Sequence, residues 1–218
     1  MKFLKSLVLA VGLILPTALP SIPVQAQPVS QYLQIASKYS QIRDASVQIY
    51  TDIGNSCSAT KVGKDLFLTA GHCFADTNTG VWIGNIKGQV LKVDHENDLA
   101  LFKAETSHIP FIKLAPRNPD IDDDILIVGY PLAINGQFVT KGSVQSVTGN
   151  RMWLDGSVAP GSSGGGVFTM GPFGNYRLVG VLVEVAVDQG DGFFFGREKV
   201  NYLSRAVPLE TIITFIHG

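Results

Sequence analysis

From residue 46 onward apolar and polar residues alternate in short runs bounded by Gly, Asn and Asp, the pattern of half-buried strands. Six such runs, 46–51, 56–62, 65–69, 81–86, 89–93 and 99–103, predict a first set of strands. The stretch Ala115-Pro116-Arg117-Asn118-Pro119-Asp120 is rich in Pro and polar residues and reads as a connection. A second set is predicted at 125–129, 138–147, 152–154, 166–169, 177–187 and 192–196. Helical spacing occurs only at the two ends. Val29, Tyr32, Leu33, Ile35, Ala36, Tyr39 and Ile42 predict a short amphipathic helix over 28–42. Leu209, Ile212, Ile213 and Phe215, behind Pro208 in the first turn, predict a closing helix over 208–216. The class is therefore all-β, although strand runs alone would allow a sandwich as well as barrels.

Residues 1–26 follow a different pattern. Lys2 and Lys5 precede an apolar run over 7–15, and Val24-Gln25-Ala26 offers a small-residue site before Gln27. This is the layout of a signal peptide cleaved after Ala26. The run stops at Pro16, well short of the ~20 residues a spanning helix needs, so no membrane anchor is expected after cleavage. The destination is secreted or periplasmic. Loss of Lys2 and Lys5 leaves 15 basic against 18 acidic residues and moves the formal charge from -1 to -3. Neither value points to nucleic acid or an anionic membrane as partner. With 218 residues, 45% of them hydrophobic, the chain is long enough for one sizeable unit or for two small barrels sharing a boundary.

The candidate chemistry lies in Val158-Ala159-Pro160-Gly161-Ser162-Ser163-Gly164-Gly165-Gly166-Val167-Phe168. Glycines around Ser163 leave its hydroxyl open to a carbonyl and free backbone N–H groups to face that carbonyl's oxygen. A flexible Gly/Ser linker would run longer and would not be gripped by Val, Ala and Phe. A serine hydroxyl is a weak nucleophile, so acyl transfer requires a histidine base and an acid to orient it. Leu68-Thr69-Ala70-Gly71-His72-Cys73 and Asp98-Leu99-Ala100-Leu101-Phe102-Lys103 supply candidates for both. Gly161-Ser162-Ser163-Gly164-Gly165 also satisfies the G-x-S-x-G pattern of α/β-hydrolases. That fold needs a helix after the nucleophile and a histidine beyond it, whereas Gly165-Gly166-Val167-Phe168 starts a helix poorly and only His217 follows.

Together the three motifs resemble those of the chymotrypsin-like (trypsin-fold) serine proteases, in the order His, Asp, Ser. The resemblance implies two six-stranded antiparallel β-barrels, with a short N-terminal helix and a C-terminal helix. Barrel one would cover about 44–115 and barrel two about 121–206, ahead of the helix 208–216, in a domain 44–218 behind a helical extension 27–43. It implies His72 as general base, Asp98 as orienting acid, Ser163 as nucleophile and the N–H groups of Gly161 and Ser163 as the oxyanion hole. Asp94 competes with Asp98, which abuts the apolar run and is better placed for burial. Cys57 and Cys73 would pair, as similar cysteines do in the family, in a compartment that keeps them oxidised. The family's pocket floor, six residues before the nucleophile, falls on Ser157. Its wall falls on the strand carrying Val183, Glu184 and Val185, which implies a preference for small or medium aliphatic residues.

Val128-Gly129-Tyr130-Pro131-Leu132, residues 138–144 and Leu154-Asp155-Gly156 resemble the second barrel of bacterial heat-shock (Deg-type) proteases. In zymogen members of the family a new amino terminus pairs with an acid just before the nucleophile. Here that position is Ser162, so no activating cut is expected. The chemistry requires no metal or cofactor, and the partner is a peptide or protein substrate. The alternative is a catalytically silent trypsin-fold binding protein, since a fold can outlive its chemistry. His95 and His108 read as surface-loop residues, the acidic run 120–124 as a solvated loop, and Trp82 and Trp153 as barrel-core residues.

Overall fold

The computed structural model describes residues 39–185, 194–195, 198–199 and 203–218. The chain enters through a short helix α1 (Ser40–Asp44) and builds a closed six-stranded barrel. Its strands are β1 (Ser46–Thr51), β2 (Ser56–Gly63), β3 (Leu66–Ala70), β4 (Val81–Ile83), β5 (Ile86–Asp94) and β6 (Leu99–Lys103), in the spatial order β1-β2-β3-β6-β5-β4. A second closed barrel follows, from β7 (Asp124–Gly129), β8 (Phe138–Thr148), β9 (Arg151–Asp155), β10 (Gly166–Met170) and β11 (Tyr176–Val185). A two-residue hairpin, β12 (Phe194–Phe195) with β13 (Glu198–Lys199), precedes the sixth strand β14 (Leu203–Pro208) and helix α2 (Leu209–His217). Among the described residues no helix is long and apolar enough to cross a membrane.

The continuous apolar runs of barrel two have a physical cause: several of its strands are covered on both faces. Successive strand residues point to opposite sides. In β7, Ile125 and Ile127 therefore join the interior of barrel two while Leu126 and Val128 join the core of barrel one and the boundary between them. Val167 and Phe168 divide in the same way, as do Val181 and Leu182. In barrel one Phe67 stacks on Phe102 at 5.1 Å, and Phe74 closes the cluster at 6.4 Å. Burying each such ring stabilises the fold by about 1.5–3 kcal/mol.

The sixth strand of barrel two lies at β14, not at the predicted 192–196. Ser204, Arg205 and Ala206 are weak strand formers, whereas Phe194–Phe195 does take strand geometry but pairs with β13 in a separate hairpin outside the barrel. β14 forms because β9 and β11 each offer it an open edge, pairing Leu154 with Ser204 and Val181 with Val207. Trp82 and Trp153 are half-buried, not interior: the inward position of β4 belongs to Val81, and those of β9 to Met152 and Leu154. The signal peptide and most of the predicted helix 28–42 lie outside the described residues, where α1 supplies only its last turn and runs on to Asp44.

Candidate active site

After β3 the chain makes one turn of 3-10 helix, Gly71–Cys73, which turns Cys73 inward and leaves His72 at the surface. Gly71 is required by space, since a Cβ there would sit 2.9 Å from both the Asp94 carbonyl oxygen and the Leu99 nitrogen. That close approach lays the turn 94–98 against His72. Asp98 occupies the left-handed region at φ 56°, which Asp tolerates better than most residues. The His72 main-chain N–H donates to Asp98 Oδ1 at 2.8 Å, and ring Nδ1 lies 3.0 and 2.9 Å from the two carboxylate oxygens. A carboxylate only accepts, so Nδ1 carries the hydrogen and the lone pair of a neutral ring is on Nε2.

Burial pushes the Asp98 carboxyl up. The ring and main-chain hydrogen bonds from His72, with the charges of His72 and Arg205, outweigh burial and hold it below the ordinary carboxylate value. Asp94 is engaged by the turn itself, accepting from the Asn97 main-chain N–H at 3.0 Å and from Asn97 Nδ2 at 2.7 Å. His95 is remote in role as well, donating to the Ala75 carbonyl at 3.0 Å.

The Ser163 loop runs from β9 to β10 and is tightened by two turns, Ser162 N–H to Ala159 O at 3.0 Å and Gly165 N–H to Ser162 O at 2.8 Å. Gly161 and Gly164 take φ of 94° and 82°, a conformation that disfavours any side chain. A methyl on Gly164 would also run into the Ser58 carbonyl and the Thr69 hydroxyl. Ser58 was not singled out in the sequence, yet it anchors this loop to barrel one. Its N–H donates to Ser163 O at 2.7 Å and its hydroxyl to Gly161 O at 2.9 Å, while Oγ accepts the Tyr130 N–H at 2.9 Å. Thr69 in turn donates to the Ser58 carbonyl at 2.7 Å.

The amides of Ser162, Gly164 and Gly165 all donate within the fold. Those of Gly161 and Ser163 donate to no other group among the described residues. Two N–H donors left unused on either side of Ser162, one of them on the serine itself, are the kind of group that can receive a developing oxyanion. The hydrogen bonds among the described residues include none between Ser163 Oγ and His72, a contact that is often long until substrate binds. The two halves are nevertheless tied together. A disulfide joins Cys57 to Cys73, neighbours of Ser58 and His72 respectively.

Ser157 is exposed at the start of the Ser163 loop. Val183, 4% exposed, belongs to the apolar core, and the side chains of Glu184 and Val185 lie outside the described residues. The acidic loop binds itself: Asp120 pairs with Arg117 at 2.7 Å, and Asp123 accepts the Asp120 N–H at 2.9 Å. Among the described residues the one cluster of metal-type donors is Cys57, His72 and Cys73, whose sulfurs are consumed by the disulfide.

Residues 57–172, a little over half of the chain, match the family described as a trypsin-like peptidase domain. A mitochondrial protein of Arabidopsis thaliana named as a Do-like protease is 27% identical over 176 residues, covering 71% of this chain. The chain spans about a third of that relative's length (34%). The serine endoprotease of Yersinia pestis has a similar structure, with a TM-score of 0.66 at 23% identity over 83% of this chain and 64% of that one. Rv3671c of M. tuberculosis H37Rv, in an inactive form, is also similar, with a TM-score of 0.65 at 16% identity over 90% of this chain and 95% of the other.

Proposed function

The chain belongs to the trypsin-like peptidase family, and we propose that it is an exported serine endopeptidase working through Ser163, His72 and Asp98. In this reading Ser163 Oγ attacks a peptide carbonyl while His72 Nε2 takes its proton. The resulting oxyanion is held by the N–H groups of Gly161 and Ser163. As the tetrahedral intermediate collapses, His72 returns the proton to the leaving amine. The acyl group stays on Ser163 until water, activated by the same histidine, releases it. Asp98 keeps the His72 hydrogen on Nδ1 and stabilises the imidazolium. The observation that carries the proposal is the pairing of a His72–Asp98 contact at 2.9 Å with two unused amides flanking Ser162.

Export is supported by the leader pattern of residues 1–26 and by a disulfide that an oxidising compartment preserves. Substrate choice is read from Ser157, at the family's pocket-floor position, and from Val185, neither of which carries a carboxylate, while Val183 is buried in the core and is left out of the pocket. A substrate Lys or Arg would be buried there unpaired, which is costly. Cleavage is therefore expected after Val, Ala or Leu, with discrimination of about 1–3 kcal/mol between side chains that differ by a methylene. Digestion of a peptide library by the wild-type chain, with Ser163→Ala as control, tests both statements. Cuts dominated by Arg, Lys or Glu would overturn the pocket assignment, and cuts that persist in the Ser163→Ala control would overturn the nucleophile.

A further inference from the structure

The carbonyl of Gly161 rests on Ser58, which also holds the Tyr130 N–H, so the placement of Gly161 depends on that of Tyr130. The segment 130–132 touches the loop in two further ways. A Cβ on Gly161 would lie 2.7 Å from the Tyr130 carbonyl, and Leu132 N–H, two residues on, donates to Pro160 O at 2.8 Å. The far end of Tyr130 is fixed outside the site. Its hydroxyl donates to Ser46 O at 3.0 Å and accepts from Gln137 Nε2 at 3.1 Å. Gln137 ends the loop between β7 and β8 and clamps it to α1, 94 residues away in sequence. Its Oε1 accepts the Arg43 Nε–H at 2.9 Å, and its Nε2 donates to Arg43 O at 2.8 Å and to Ser46 O at 3.3 Å.

We propose that Gln137 is a positioning residue for the oxyanion-binding amides, acting through Tyr130 and Ser58, and that it makes the segment 39–46 part of the peptidase machinery. The inference rests on the proposed role of Gly161 and Ser163. One side chain reaches four groups on three segments, with the two Nε2 hydrogens shared among three acceptors, and no other residue type offers both the acceptor for Arg43 and the donors for the carbonyls and the hydroxyl at this length. A cleft of about 450 Å³ opens beside Ser40, Arg43, Asp44, Tyr130 and Gln137. Water thus reaches one side of this corner, and the hydrogen bonds of Gln137 hold it in one arrangement. In zymogen members of the family a new amino terminus pairs with an acid just before the nucleophile. Ser162 offers no such acid, and the bonds from α1 supply an ordering contact from the opposite direction.

The test compares Gln137→Leu, Ser58→Ala and the double variant in the full chain. Gln137→Leu is expected to lower kcat on the order of tenfold with KM within about twofold. The double variant should be no slower than Ser58→Ala alone, because both changes act on one path. Unchanged kcat in Gln137→Leu, or losses that multiply in the double variant, would overturn the proposal. If Gln137→Leu folds poorly, Tyr130→Phe, which removes only the hydroxyl, takes its place with the same expected outcomes. A second readout does not need activity: amide hydrogen exchange of residues 158–165 measured in a Ser163→Ala background. Gln137→Leu should accelerate it, and an unchanged rate would refute the relay whether or not the chain is a peptidase. A wild-type chain that cleaves nothing, with faster exchange in Gln137→Leu, would refute the peptidase reading and leave the relay standing.

Discussion

Replacing Ser58 by Ala deletes one buried hydroxyl that serves two partners. The Gly161 carbonyl loses a donor at 2.9 Å and the Tyr130 N–H loses an acceptor at 2.9 Å. An unpaired buried group costs about 1–3 kcal/mol. Because the carbonyl keeps a second lone pair and Tyr130 is only half-buried, a total of about 2 kcal/mol is expected, which lowers Tm by about 4–8 °C for a domain of this size. The effect on turnover should be larger than the effect on stability. Losing one oxyanion donor outright costs on the order of 10²–10³ in kcat, and a Gly161 that is misdirected rather than removed should fall near 10². KM should stay within about threefold, because the amides act on the transition state more than on the bound substrate. The assay is turnover of a fluorogenic peptide well below Tm, with thermal unfolding measured in parallel. A kcat within about twofold of wild type, together with the expected fall in Tm, would refute the idea that Ser58 positions the oxyanion loop.

The remaining predictions concern the acid and the cross-link. The Asp98 carboxyl is held below its ordinary value of 3.8, so the folded chain binds fewer protons there than the unfolded chain. Its contribution is present above that ordinary value and is lost as pH falls through the lower folded-state value. The stability advantage of wild type over Asp98→Asn, followed by urea unfolding from neutral pH to about pH 2, should therefore shrink in acid, and a gap that widens in acid would contradict the assignment. Reducing the Cys57–Cys73 disulfide, which closes a loop of 16 residues, should remove about 3 kcal/mol and lower Tm by roughly 6–12 °C. A Tm insensitive to reductant would contradict a structural role for the cross-link.

Most strands of barrel one and the triad motifs carry a local signal, although the predicted runs 81–86 and 89–93 miss the turn at Gly84-Asn85 that divides β4 from β5. A continuous apolar run marks β6, and small residues bracket His72 and Ser163. β14 was not legible, since Ser204 and Arg205 take strand geometry only from the edges of β9 and β11. Ser58 and Gln137 were hidden for a related reason. A serine beside a cysteine and a glutamine in a loop are unremarkable in one dimension. Their partners lie 103 and 94 residues away, so only the closure of both barrels gives them a role. The choice of Asp98 over Asp94 rested on its place at the head of an apolar run. The structure adds a physical reason, the capture of both Asp94 oxygens by Asn97.

The most direct test of the account is covalent labelling of the folded chain with an active-serine phosphonate, read by peptide mass mapping. Phosphonylation of serine, with loss of the reagent's leaving group, requires an activated hydroxyl, a basic nitrogen beside it and donors for the phosphonyl oxygen, the set proposed for Ser163, His72, Gly161 and Ser163. Wild type should carry a single adduct on Ser163. Ser162→Ala should label like wild type, and Ser163→Ala and His72→Ala should remain unlabelled. A folded wild-type chain that takes up no phosphonate, or takes it up on Ser162, would contradict the central claim, and complete inertness would leave a trypsin-fold binding protein as the better reading.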